Sequence, residues 1–313
     1  MARINEIRDG VFAVSTDNWR LNSGVVLGSR RALVIDTGAG PRQAREILEA
    51  VRSLTGLPLT VVNTHAHYDH FLGNAVFQRA GAEDFWAHRG CAAAIQAHGD
   101  FQRSFVGTHE PEMAAAEGPD TRLVVPNRHL PGTGRRPALT RVDLGERAAV
   151  LFSFGPGHTD NDLCVGVDDV VFTGDLVEQG ADPSFDDSYP RGWATALESL
   201  AALDRYQVFV PGHGNPVERG FVLQQARLMR TAIERVDASE AAAAQPDGMR
   251  PVTASMFRLP YNPGAARILL DRLERIRAED AATEELAALS APLPPACPTC
   301  AGCRGCWPAP TVW

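Results

Sequence analysis

The segment THAHYDH, Thr64 to His70, places three imidazoles and a carboxylate within seven residues. Neutral imidazole nitrogens and carboxylate oxygens suit divalent metals, zinc first, with iron and manganese accepting the same donors. On an extended backbone residues two apart point the same way, so His65 and His67 can grip one ion together. Asp69 and His70 come next, where the chain bends toward a helix, and can address a second ion. Four side chains in one turn cannot close two coordination spheres, because catalytic zinc takes three protein ligands and keeps an open position. Three Gly-flanked candidates for the missing donors follow apolar runs: His158 in GPGHTD, Asp175 in FTGDL and His213 in VPGHG. Each reads as a loop on a strand end, where a rigid scaffold presents functional groups. Taken singly, an HxH or a PGHG is a common polar turn; seven donors in this order point to a metal site. His88, His98, His109 and His129 match no such motif and read as surface or packing residues.

The flanking patterns supply the elements that must carry these groups. VFAVST and GVVLG read as strands, and ALVIDTGAG as a buried strand ending in a Gly-rich loop. PRQAREILEAVRSLTG is a helix, with Pro41 in its first turn, apolar residues at Ala44, Ile47, Leu48, Val51 and Leu54, and Gly56 at its end. TVVNTH is a strand running straight into the histidine motif, with FLGNAVFQRAG as the helix after it. Residues 88–140 read as an irregular, partly helical insertion over the cleft. Strands resume with RAAVLFSFGPGH, LCVGVD and VVFTGDL, and the helix GWATALESLAALDRY precedes the strand VFVPGHG. FVLQQARLMRTAIERV is amphipathic, and AARILLDRLERIRAED continues as a helical tail. The expected organisation is a catalytic domain over 1–235, a helical extension over 236–290 and a disordered Pro- and Cys-rich tail over 291–313.

The bulk properties narrow the chemistry. At 313 residues the chain can bury a large core. Its net charge of -8 argues against nucleic-acid partners, which demand a surplus of basic side chains. All thirty basic residues are arginine, which excludes a lysine Schiff base or a P-loop. The start, MARINEIRDGVF, has no apolar core of a signal peptide, and no run of eighteen apolar residues exists. A cytoplasmic protein with a small-molecule substrate and no membrane partner is expected; oligomeric state is not readable.

The ordered motifs THxHxDH, GH, TGD and PGHG, with the earlier Asp36 in VIDTG, resemble those of the metallo-β-lactamase superfamily over roughly residues 10 to 235. The resemblance implies an α/β fold, a four-layer αβ/βα sandwich with a metal centre at one edge, here followed by a helical C-terminal extension. Carried over by position, His65, His67 and His158 hold a first ion, Asp69, His70 and His213 a second, and Asp175 bridges the two. Asp36 fixes the ligand loop by hydrogen bonds. Two divalent ions, Zn2+ before Fe or Mn, would share a water and lower its pKa from 15.7 toward roughly 7. The bridging hydroxide attacks the substrate, while Asp69 orients it and takes its proton.

Departures from the subgroups point away from several activities. The true β-lactamases have Cys or Ser where Asp175 stands. Glyoxalase-type thioesterases follow GD with a Cys-Gly-Arg loop, which GDLVEQGADPSF lacks, and the diiron oxygen-reducing branch has Glu in place of His67. The expected activity is therefore hydrolysis of a small ester, lactone, thioester or amide, with phosphodiester hydrolysis on the same site as the alternative. Tyr68, Phe71, Phe185, Tyr189 and Trp193 are candidates for an apolar pocket or for ordinary core. A reading of another class rests on CPTCAGCRGC: Cys297, Cys300, Cys303 and Cys306 could make a redox or interaction module. Their spacing fits neither the ferredoxin run nor paired zinc knuckles. Cys91 and Cys164 read as isolated core residues.

Overall fold

Apolar alternation along the strands dictates a layered architecture in this computed structural model, which describes residues 2–130, 139–243 and 259–290. Strands β1 (Arg3–Arg8), β2 (Val11–Ser15), β3 (Asn22–Leu27), β4 (Ala32–Ile35), β5 (Leu59–Val62), β6 (Phe85–Ala87) and β7 (Arg128–His129) form a seven-stranded sheet in that order. A second sheet runs β12 (Val208–His213), β11 (Val170–Glu178), β10 (Cys164–Val167), β9 (Ala148–Phe152) and β8 (Leu139–Asp143). Leu33 and Ile35 of β4 meet Leu151, Val165 and Phe172 between the sheets, while Val34 faces outward. The same period-two division recurs in β11, where Val170 and Phe172 point in and Val171 points out.

Helices close both outer faces. Helix α1 (Pro41–Leu54) lays Ala44, Ile47 and Val51 on the first sheet, and it connects β4 to the parallel strand β5. The short helices α2 (Tyr68–Phe71) and α3 (Asn74–Arg79) follow β5, so the single helix expected after the histidine motif is two pieces. On the second sheet, α6 (Pro190–Ala201), α7 (Arg219–Ala243) and the start of α8 (Pro263–Ser290) bury Leu197, Met229, Ile233 and Leu269. The result is the expected αβ/βα sandwich. A first compact unit spans Met1–Leu273, and α7 runs unbroken through position 235. In the second unit, residues 274–290 continue α8, with side chains largely exposed as far as 287. The cysteine-rich segment lies outside the described residues.

The described residues of the 88–140 insertion have more order than its composition suggests. Helix α4 (Arg89–Gln102) starts on His88, whose Nδ1 accepts from the Gly90 N–H, which gives that histidine a capping role. After α5 (Pro111–Ala115) the chain rejoins the first sheet as β7. The insertion also serves the core: fully buried Glu110 accepts from the Arg42 and Gln43 N–H groups at 2.8 and 2.7 Å. It thereby caps α1, whose own N-cap, Gly40, has no side chain to do so. No helix among the described residues is long and apolar enough to cross a membrane.

Candidate metal centre

Seven side chains that are scattered over about half the chain converge: four from the segment after β5, His158 from the segment after β9, Asp175 from within β11 and His213 from the end of β12. His65, His67, His158 and Asp175 bring one donor atom each within 4.8 Å of one another, and Asp69, His70 and His213 do the same beside them. Asp175 lies between the two groups. Its Oδ2 is 3.7 Å from His65 Nε2, 3.6 Å from His158 Nε2 and 3.4 Å from His213 Nε2, while Oδ1 is 3.4 Å from His70 Nε2. Asp175 belongs to strand β11, not to a loop after it. Gly174, at φ 52°, shifts the register against β12 and turns the next side chain into the site. Gly212 opposite is equally constrained, since a Cβ there would collide with the Asp175 carboxylate.

Four of the five histidines are hydrogen-bonded through the ring nitrogen that faces away from the cluster. Asp36 is buried at φ 61°, a backbone geometry rare outside glycine. Its carboxylate accepts from the Thr64 N–H and the Thr64 hydroxyl, both at 2.8 Å, and from His70 Nδ1 at 2.9 Å. Because that hydroxyl donates to Asp36, it accepts from His65 Nδ1 at 3.0 Å. His213 Nδ1 donates to the Trp19 carbonyl at 2.7 Å, and His67 Nε2 donates to Asp187 at 3.0 Å. His158 Nδ1 faces Glu178 at 3.4 Å. These contacts orient the rings, so that Nε2 of His65, His70, His158 and His213 and Nδ1 of His67 face the centre.

That arrangement asks for cations. His67 Nδ1 stands 3.0 Å from His65 Nε2 and 2.9 Å from His158 Nε2, three ring nitrogens facing one another. Tetrahedral zinc would set such nitrogens about 3.3 Å apart, so the donor set matches its size within a few tenths of an ångström. His70 Nε2 and Asp175 Oδ1 are buried without hydrogen-bond partners. Burial and the neighbouring His70 push the His65 pKa well below its ordinary value, which keeps it a neutral ligand. Burial would also lower His158, yet Glu178 and Asp175 outweigh it and push it up to about 9. His70 and His213 are likewise raised against burial by the surrounding carboxylates. Burial would raise Asp175, but His213 and His70 hold it well below the usual carboxylate range. The carboxylates thus draw positive charge into the cluster, as a cation-binding site must.

Several supporting residues carry no motif that a sequence reading could use. Asn161 accepts from the Ala66 N–H at 2.9 Å and so props the loop between His65 and His67. Buried Arg272 of α8 donates to the Ser188 carbonyl at 2.6 Å, steadying the loop that carries Asp187. Of the five candidate pocket aromatics, Phe71, Phe185 and Trp193 are core residues instead, fully buried. Trp193 packs its edge on His158 with centroids 5.1 Å apart and donates Nε1–H to the Leu176 carbonyl. Tyr68 and Tyr189 are half-buried. His98, His109 and His129 are exposed and stand outside both donor groups. Cys91 and Cys164 are buried, with thiol pKa values raised by burial.

Residues 17–213 match the model of the metallo-β-lactamase superfamily, and the chain belongs to that superfamily. Acyl-coenzyme A thioesterase MBLAC2 of Homo sapiens is 29% identical over 254 residues, covering 72% of this chain and 86% of the relative. Its Bos taurus counterpart is 30% identical over the same span and shares. Among solved structures, a metallo-β-lactamase from Pontibacter korlensis aligns with a TM-score of 0.58 at 18% identity, covering 74% of this chain and 99% of that one. FIM-1 from Pseudomonas aeruginosa, in its mono-zinc form, gives 0.58 at 22% identity, with 74% and 96% covered. At such identities these two structures speak for the fold alone. The protein is a metal-dependent hydrolase and not a true β-lactamase.

Proposed function

We propose that this hydrolase binds two divalent ions, most simply Zn2+, and cleaves acyl thioesters, one member of the wider set of small esters, lactones, thioesters and amides. The observation that supports the dinuclear reading is the position of Asp175 between the donor groups, its carboxylate within 3.7 Å of His65 and His158 of one and within 3.4 Å of His70 and His213 of the other. In this assignment His65, His67 and His158 hold one ion, Asp69, His70 and His213 the other, and Asp175 joins them. Asp36 orients His70 directly and His65 through Thr64. A bound pair of divalent cations would lower the pKa of a shared water toward neutrality and polarise the scissile carbonyl. Burial would raise the Asp69 carboxyl, but His70 and His213 keep it below its ordinary value. An ionised Asp69, 3.2 Å from His213 Nε2, can therefore orient a nucleophile and accept its proton. The names of the MBLAC2 relatives favour the thioester within the wider set. The missing Cys-Gly-Arg loop separates this chain only from glyoxalase-type thioesterases.

Elemental analysis coupled to a substrate panel tests the reading. Two ions per chain, turnover of acyl-CoA above lactones, amides and phosphodiesters, and abolition by chelators are expected. A single ion at saturation would overturn the dinuclear assignment. Phosphodiester turnover in place of thioester turnover would overturn the substrate class.

A further inference from the structure

Two exposed phenylalanines adjoin the histidine motif through Tyr68. Phe101 and Phe105 are 67% and 53% exposed, the two aromatic residues among the exposed large hydrophobics of the described chain. Phe101 lies in the last turn of α4 and Phe105 in the 3-10 turn that follows, with ring centroids 5.0 Å from each other. Their platform is fixed. Gln102, between them in the chain, donates to the carbonyl of Ala66, the residue between His65 and His67, at 2.8 Å. Arg103 donates to the Thr121 carbonyl at 2.6 Å, and Val106 is fully buried. A mobile loop therefore does not explain the exposure. From Phe105 the aromatic surface continues inward to Tyr68, 5.8 Å away, and then to Trp19, 5.9 Å from Tyr68. Tyr68 sits between His67 and Asp69 in the chain, and the Trp19 carbonyl holds His213. The strip thus begins at the donor groups and ends in solvent.

We infer that Phe101 and Phe105 form the outer part of a binding strip for the hydrocarbon chain of an acyl thioester, and that they set a preference for long acyl groups. This inference rests on the thioesterase reading and adds its specificity. An extended apolar substrate tail matches the strip in chemistry: a file of rings from Trp19 and Tyr68, next to the donor residues in the chain, to Phe105 and Phe101 in solvent. Exposed aromatic surface on a fixed platform, continuous with the segment that carries the metal donors, is a mark of ligand contact.

The test compares kcat/KM for acetyl-, hexanoyl- and dodecanoyl-CoA in the metal-loaded protein and in the F101S/F105S variant. For wild type, kcat/KM should rise roughly twofold per added methylene along the strip, since one-sided contact captures about half of a full burial. In the variant the dodecanoyl-to-hexanoyl ratio should collapse toward one, while the hexanoyl-to-acetyl ratio, set by Tyr68 and Trp19, is kept. Metal content and unfolding temperature serve as controls for intact structure, and Phe105→Leu should restore part of the ratio in a Phe101→Ser background. An unchanged ratio in F101S/F105S overturns the inference and leaves the thioesterase reading standing. So does an unchanged ratio accompanied by loss of self-association or of adsorption to phosphatidylcholine vesicles, which would give the rings another occupant. Failure of wild type to cleave any of the three thioesters overturns both.

Discussion

Replacing Asp36 with asparagine tests how one buried carboxylate governs both donor groups. The substitution keeps shape and volume but exchanges an acceptor oxygen for an NH2 group. If the amide oxygen keeps the Thr64 N–H, the new NH2 faces His70 Nδ1 and the Thr64 hydroxyl. His70 must then accept through Nδ1, which moves its proton to Nε2 and blocks the lone pair toward the centre. The Thr64 hydroxyl, now receiving a proton from the introduced amide, turns its own toward His65 Nδ1 and forces the same inversion there. Rotating the amide relieves the histidines but sets the NH2 against the Thr64 N–H, a buried mismatch costing about 1–3 kcal/mol. Loss of an outer partner of a ligating histidine weakens metal binding by roughly 10–100-fold, or about 1.4–2.7 kcal/mol per ion. Asp36→Asn should therefore lose affinity in both groups while remaining folded. Chelator competition followed by elemental analysis reads this, with circular dichroism as the fold control. Two ions retained at wild-type affinity would refute the relay through Thr64.

Other expectations can be checked with the same materials. Asp175→Ala should remove at least one ion and most turnover; an intact two-ion protein in elemental analysis would sink its bridging role. Gly212→Ala should displace the Asp175 carboxylate, because the new methyl group collides with it, and the crowding should lower stability by about 1–3 kcal/mol in denaturant titrations while metal content falls. Burial raises the Glu110 pKa above its ordinary 4.5, so the folded state holds this proton to higher pH than the unfolded state does. The stabilisation tied to that proton is full below about 4.5 and is lost as pH rises through the raised value. In metal-free protein, Glu110→Gln should flatten that slope and lose one backbone acceptor worth about 1–3 kcal/mol, measured by thermal unfolding across pH.

The sequence made the sandwich and its histidines easy to see, for a physical reason. Period-two strands such as ALVI and the spaced apolar face of PRQAREILEAVRSL advertise themselves locally, and HxHxDH is a compact arrangement of donors. The structure brings all seven expected donors together, along with Asp36. What stayed hidden depends on contacts distant in the chain. Asp187 and Glu178 look like ordinary acidic residues until the fold sets them beside His67 and His158. Gly174 reads as a loop residue, yet a bulge keeps Asp175 inside a strand that the flanking apolar residues leave otherwise regular. For the aromatics the sequence left pocket and core both open, and the fold decides: Trp193 packs on His158, yet it and Phe185 belong to the core under the helical layer. Phe101 and Phe105 sit in a stretch with no strong periodicity, and only the tertiary anchor through Gln102 shows why they face outward.

Arg272 binds the fate of the carboxyl-terminal helix to the other end of the molecule. Its guanidinium lies over the Tyr189 ring and grips the Ser188 carbonyl, one residue from the carboxylate that steers His67. A truncated protein ending before that arginine could retain every donor and still let one imidazole swing. Any attempt to trim this enzyme for crystallisation, or to graft its catalytic half onto another scaffold, should keep the chain intact through position 273.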